Sequence, residues 1–262
     1  MKKLLLLFTF FICVAFTPSD YVLLHQIPFN HVKAMTTDNL GNVFVIVENQ
    51  LLEFDASGKP KANYSEKNLG ELRSVDVGNP MKIELFYPDF GRIVMLNSSL
   101  AVQSTINLRA LGISQASLAC HSFVDGYWIF DLQDYQLKKV TLDLQIASQS
   151  GDVRKWSAGK LLPNFLIEAD GFVYLNDPSQ GILVFDRYGT YYKNIPLKGL
   201  SNFQIIENEL LYFQEGSYKA FHLKTLSERS IILPAQDSIL SARIEMHQLY
   251  LLTSGSLSFY SF

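Results

Sequence analysis

The residues able to do chemistry are few and scattered. The histidines are His25, His31, His121, His222 and His247, and the cysteines are Cys13 and Cys120. No Cys-x-x-Cys pair accompanies the histidines, and the single cysteine left once Cys13 is removed with the expected signal peptide cannot complete a zinc site. The sequence holds no Gly-x-Ser-x-Gly elbow, no P-loop, no dinucleotide fingerprint and no EF-hand loop. Ser254-Gly255-Ser256 reads as a hairpin turn. Cys120 lies in the apolar run Leu118-Ala119-Cys120, which suits an inert buried thiol, since no basic partner stands beside it. No cofactor motif appears.

Carboxylates are more suggestive. Asp76, Glu168 and Glu207 fall in stretches that read as inner strands. A central channel would gather such acids, and gathered acids would suit Ca2+. A second set is periodic. Glu48, Asp89, Asp134, Asp177 and Glu215 each occupy the turn between two apolar strands of a repeat. Turns of one kind emerge on one face, so these acids would ring a channel mouth, with Tyr87, Phe90 and Tyr135 nearby. Such a ring suits a cation, a basic peptide or a polyol, although ordinary hairpin-turn chemistry selects the same residues. Trp156 stands among Arg154, Lys155 and Lys160 in the long connection 150–164. It serves either as a partner anchor or as packing for that connection.

The elements that must position these groups are short strands. β-branched and aromatic runs dominate, punctuated by Gly, Asn, Asp, Ser and Pro, which is an all-β pattern. One apolar strand recurs. It reads Asn42-Val43-Phe44-Val45-Ile46-Val47, then Lys82-Ile83-Glu84-Leu85-Phe86, then Gly126-Tyr127-Trp128-Ile129-Phe130. It returns as Gly171-Phe172-Val173-Tyr174-Leu175, Glu209-Leu210-Leu211-Tyr212-Phe213 and Gln248-Leu249-Tyr250-Leu251-Leu252. The spacing of roughly 40 residues fits four strands per propeller blade. The last repeat stops after its third strand, at Phe262. The segment 21–28, Tyr-Val-Leu-Leu-His-Gln-Ile-Pro, reads as an unpaired outer strand. Joining the two completes a sixth blade and closes the ring. The expected fold is therefore an all-β, six-bladed β-propeller closed by its N-terminal strand, one domain over 20–262. The blades fall at 31–65, 72–108, 117–149, 165–197, 202–234 and 238–262.

The 262 residues carry a net charge of −3 and no long basic run, which argues against nucleic acid as a partner. Lys2 and Lys3 followed by the uncharged stretch 4–16 suit a signal peptide, with Cys13-Val14-Ala15 as cleavage site and residues 1–15 removed. A retained N-terminal anchor is the alternative reading. No later stretch is long and apolar enough to span a bilayer. The chain is thus expected to be exported: periplasmic, envelope-associated or extracellular.

Two repeats carry a family likeness. Gly41-Asn42-Val43-Phe44-Val45 with Phe54-Asp55-Ala56-Ser57-Gly58 resembles the NHL-type and TolB-like six-bladed propellers. So does Asp170-Gly171-Phe172-Val173-Tyr174 with Phe185-Asp186-Arg187-Tyr188-Gly189. The resemblance implies a fold rather than an activity, since such propellers serve as enzymes, ligand binders and scaffolds. The leading expectation is a non-catalytic binding or scaffold propeller whose partner is a protein, peptide or glycan of the cell envelope. The alternative is a lactonase-like hydrolase or lyase that uses channel residues and a divalent metal.

Overall fold

The computed structural model describes residues 21–124 and 126–262, so the expected signal peptide over 1–15 lies outside the described residues. The fold is a six-bladed β-propeller: six four-stranded antiparallel sheets follow one another around a central channel. Five blades take their strands in chain order from the channel outward, over residues 32–65, 74–107, 116–149, 165–195 and 204–231. The sixth combines three C-terminal strands over 239–261 with Val22–Pro28 as its outer strand. That strand runs antiparallel to Ser256–Ser261, from Val22 opposite Ser261 to Pro28 opposite Ser256.

Apolar side chains place the core between blades. Each of the six junctions among the described residues holds one buried cluster. The cluster joining blades six and one contains Tyr250, Phe259, Val43 and Phe54. Blade strands are buried on both faces, which is why the recurring strand reads as a continuous apolar run rather than an alternation.

Turn chemistry fixes the hairpin between third and outer strands. Asp55 Oδ1 accepts from the amides of Ser57 and Lys59 at 2.9 and 3.0 Å, and Gly58 takes φ +83°. Asp186 does the same for Tyr188 and Thr190, with Gly189 at φ +83°. Blade two replaces the pair with Asn97 and Leu100, and blade five with His222, whose Nδ1 accepts from the amides of Lys224 and Thr225. One geometry is thus reached with different acceptors, which blurs the repeat in sequence.

Phe259 is fully buried at the closing junction. Phe259→Ala is expected to cost about 3–5 kcal/mol in urea unfolding. A loss below about 1 kcal/mol would show that this junction does not hold the ring.

Candidate functional site

The inner strands are Val32–Thr37, Ser74–Asp76, Ala116–His121, Phe165–Ala169, Gln204–Ile206 and Ile239–Glu245. All run the same way along the channel, so their starts gather at one mouth and their ends at the other. The two mouths differ sharply in charge. A cavity of about 310 Å3 at the strand starts is lined by Lys33, Arg73 and Arg243, and by no carboxylate. A cavity of about 200 Å3 at the strand ends is lined by Asp38, Asp76, Glu168 and Glu245, with Arg243 again its sole cation.

Most of the acidic groups at the second mouth are engaged in joining blades. Asp76 Oδ2 accepts from the His121 amide of blade three at 2.9 Å. Glu168 Oε2 accepts from Trp128 Nε1 at 2.7 Å, tying blade four to blade three. Gln204 donates to the Ile244 carbonyl at 2.7 Å and to Glu245 Oε1 at 2.5 Å, tying blade five to six. Arg243 Nε donates to Thr37 Oγ1 at 3.0 Å, tying blade six to one. Burial pushes the Glu245 carboxyl upward, against the opposing pull of Arg243. Burial likewise pulls Arg243 below the usual guanidinium value.

Of the acids expected in the channel, Asp76 and Glu168 line it, but Glu207 does not. Glu207 sits in the turn after its inner strand at φ +49° and lines a separate outer cavity between blades five and six. The strand ends one residue earlier than the sequence suggests, and Gln204 supplies the channel group of blade five. Among the described residues, no cluster of three His, Cys, Asp or Glu side chains is arranged to hold a metal ion. Cys120 is buried, and burial pushes its thiol well up, with Asp76, Glu84 and Glu168 adding to the effect.

The five periodic acids do emerge on one face, that of the basic mouth, but they differ in engagement. Asp177 is buried, and its Oδ1 accepts from the Ser179 amide and hydroxyl at 2.8 and 2.7 Å. Its other oxygen takes the Leu162 amide from the preceding connection. Asp89 accepts from the Glu71 amide at 3.0 Å, and Asp134 pairs with Lys138 at 2.8 Å. Glu48 and Glu215 stand exposed at their turns. Of the flanking aromatics, Phe90 is exposed. Tyr87 instead belongs to the core between blades one and two. Tyr135 packs on Phe130 beneath the Arg154 guanidinium. Trp156 is half-buried, stacked on Tyr191 at 4.8 Å and edge-on to Phe185.

Sequence reasoning missed Arg243, Glu245, Asp38 and Gln204. The usable signal was a charged pair, Arg243 and Glu245, at alternate positions of a largely apolar inner strand, which period two puts on one side of that strand. It also missed Glu84, which is 1% exposed on the second strand of blade two, opposite Asp76. Neither Glu84 oxygen has a hydrogen-bond partner among the described residues. Burial first, and then Asp76, holds its carboxyl well above the ordinary value.

No family model and no curated protein matches the chain. Solved structures do. A virginiamycin B lyase from Staphylococcus aureus with quinupristin is similar at TM-score 0.58 and 11% identity, over 88% of this chain and 80% of that one. BBS1N in complex with ARL6DN gives 0.55 and 13%, over 87% and 76%. BamB from Moraxella catarrhalis gives 0.54 and 10%, over 92% and 100%. At these identities the likeness is one of fold, shared with a lyase and with proteins of other kinds.

The state of Glu84 has a measurable consequence. Its folded carboxyl keeps its proton above pH 4.5, where the unfolded chain releases it. The folded state then binds more protons, so the parent protein loses stability as pH rises past that value. Glu84→Gln removes this loss. The stability difference between variant and parent is expected to shift in favour of the variant from pH 4.5 to about pH 8. A difference that stays flat, or moves the other way, would show Glu84 to be ionised in the folded protein.

Proposed function

We propose that this chain is an exported, non-catalytic binding propeller that receives a protein partner on the face of the acidic mouth. The observation that carries this reading is an apolar crescent. The turns between inner and second strands all emerge on that face. They present Leu40 in blade one, Met81 in blade two, Phe123 and Val124 in blade three, and Met246 in blade six. Phe123 is 86% exposed and Met246 70%. Met246 reaches the neighbouring turn, its Sδ lying 4.0 Å from the point where a Cβ on Gly41 would stand. Four consecutive blades therefore offer large apolar side chains to solvent around one mouth. Clustered exposure of this kind marks interaction surfaces, whereas single exposed apolar residues do not.

Charge selects the partner. The crescent borders Asp38, Asp76, Glu168 and Glu245 with Arg243 as the one cation lining that cavity. The complementary surface is apolar with a basic residue at its centre, which electrostatics would steer into the mouth. The acidic turns lie on the opposite face, and three of the five are held in turns, connections or an ion pair. Glu48 and Glu215 remain available there for a weaker, second contact. BBS1N, which is similar in fold, is a propeller seen in complex with ARL6DN. Lys2, Lys3 and the apolar stretch after them support export, and hence a partner in the cell envelope or outside the cell. Among the described residues, no helix is long and apolar enough to cross a membrane.

The test uses a defined probe: a labelled amphipathic Leu/Lys peptide, followed by fluorescence anisotropy, beside its Leu/Glu counterpart. The parent protein is expected to bind the basic peptide and not the acidic one. Phe123→Ser with Met246→Ser should weaken that binding about tenfold or more, with thermal stability nearly unchanged. Equal binding of both peptides, or binding untouched by the double substitution, would exclude this face as the docking surface.

A further inference from the structure

The waist of the channel holds a buried cation with donors to spare. Arg243 is 8% exposed. Its Nε is spent on Thr37 Oγ1 at 3.0 Å, and no protein acceptor takes its two terminal nitrogens among the described residues. No carboxylate lies within ion-pair distance of the guanidinium among these residues; Glu245 and Asp76 act on it only through space. The side chain is largely buried, yet its terminal nitrogens are not sealed from the channel and stand ready for an acceptor there. The side chain lines the cavity on both sides of the waist.

The two sides are not equivalent to an anion. The acidic side carries four carboxylates and repels it. No carboxylate lines the cavity on the other side, where Lys33 and Arg73 stand at the mouth and the acidic turns lie outside it. Lys33 is paired with Glu71 at 2.6 Å, whereas the Arg73 guanidinium makes no hydrogen bond or ion pair among the described residues. The lining between that mouth and Arg243 is mixed, with Phe165 and Leu166 among its apolar groups and Thr36, Ser74 and Asn164 among its polar ones. The cavity measures about 310 Å3, the lower end of the range for small-molecule sites.

We propose that this half of the channel is a binding site for a small organic acid. The ligand enters past Arg73, lays an apolar body against Phe165 and Leu166, and presents its carboxylate to the free fork of Arg243. The planar fork matches a carboxylate with two parallel hydrogen bonds, an arrangement that a lysine cannot reproduce. Glu245 and Asp76, held behind the guanidinium by their bonds to Gln204 and His121, keep it charged without occupying it. The site lies on the face opposite the apolar crescent, so the proposal stands independently of the partner proposed there.

Benzoate is the probe, with benzamide as its neutral isostere and inorganic phosphate as a bare oxyanion, each titrated by calorimetry into the intact protein. Benzoate is expected to bind and benzamide not. Arg243→Gln should weaken benzoate about tenfold or more, and Arg243→Lys should restore only part of the loss. Since Arg243 also joins blades six and one, thermal unfolding must show that these variants fold. Arg73→Glu, at an exposed position, supplies the second variant: unchanged stability and several-fold weaker benzoate. Glu168→Gln, on the other side of the waist, should leave benzoate binding undiminished. Equal affinity for benzoate and benzamide would overturn the proposal. So would phosphate binding without benzoate binding, or indifference to both Arg243→Gln and Arg73→Glu.

Discussion

The pairing of Val22–Pro28 with Ser256–Ser261 is the constraint on which the rest of the molecule depends. A propeller blade cannot bury its apolar faces alone; it needs a neighbour on each side. Six junction clusters exist because blade six meets blade one, and blade six is whole because the first described strand supplies its outer edge. Side chains reinforce the seam. Gln26 donates to Ser256 and Ser258 hydroxyls at 2.9 and 3.2 Å, and the Tyr21 ring packs edge-on against Tyr260 and Phe262. Phe29 continues the contact by donating its amide to the Gly255 carbonyl at 2.9 Å.

A closed ring also creates the channel, and the channel is where the fold places its costly polar groups. Asp76, Glu168, Gln204 and Arg243 each bond across a blade junction, so charge that would be a burden in a core becomes a fastening between sheets. The same strands sort charge by depth, with bases near their starts and acids near their ends. Because all six inner strands run the same way, that placement gives the channel a polarity along its axis. One face thus presents an acidic mouth inside an apolar crescent, and the other a basic mouth inside a set of acidic turns.

The fold was largely legible in the sequence because its signals are local and repeated. The recurring apolar strand, the incomplete final repeat and the orphan segment 21–28 together predicted six blades and their closure, with boundaries within a few residues of those observed. The repeat grew faint where the turn kept its geometry but changed its residues. Asn97 with Leu100 replaces Asp with Gly in blade two, and His222 acts as the acceptor in blade five. The site was much less legible. Turn acids are conspicuous by spacing, yet spacing does not reveal that Asp177 is buried against a connection or that Asp134 is paired with Lys138. Glu207 was misplaced because a strand end shifted by one residue, which moves a side chain from channel to turn. Arg243 and Glu84 matter through what surrounds them in space, and their neighbours come from blades distant in the chain.

Hydrogen–deuterium exchange, read over peptides covering 22–28 and 256–261, tests ring closure most directly. The account predicts that amides of both segments exchange as slowly as those of Gln248–Thr253 in the middle of the same sheet, and that all are released in one cooperative step. Rapid exchange across 22–28 beside a protected Gln248–Thr253 would mean that the sixth blade is open, and the account would fail.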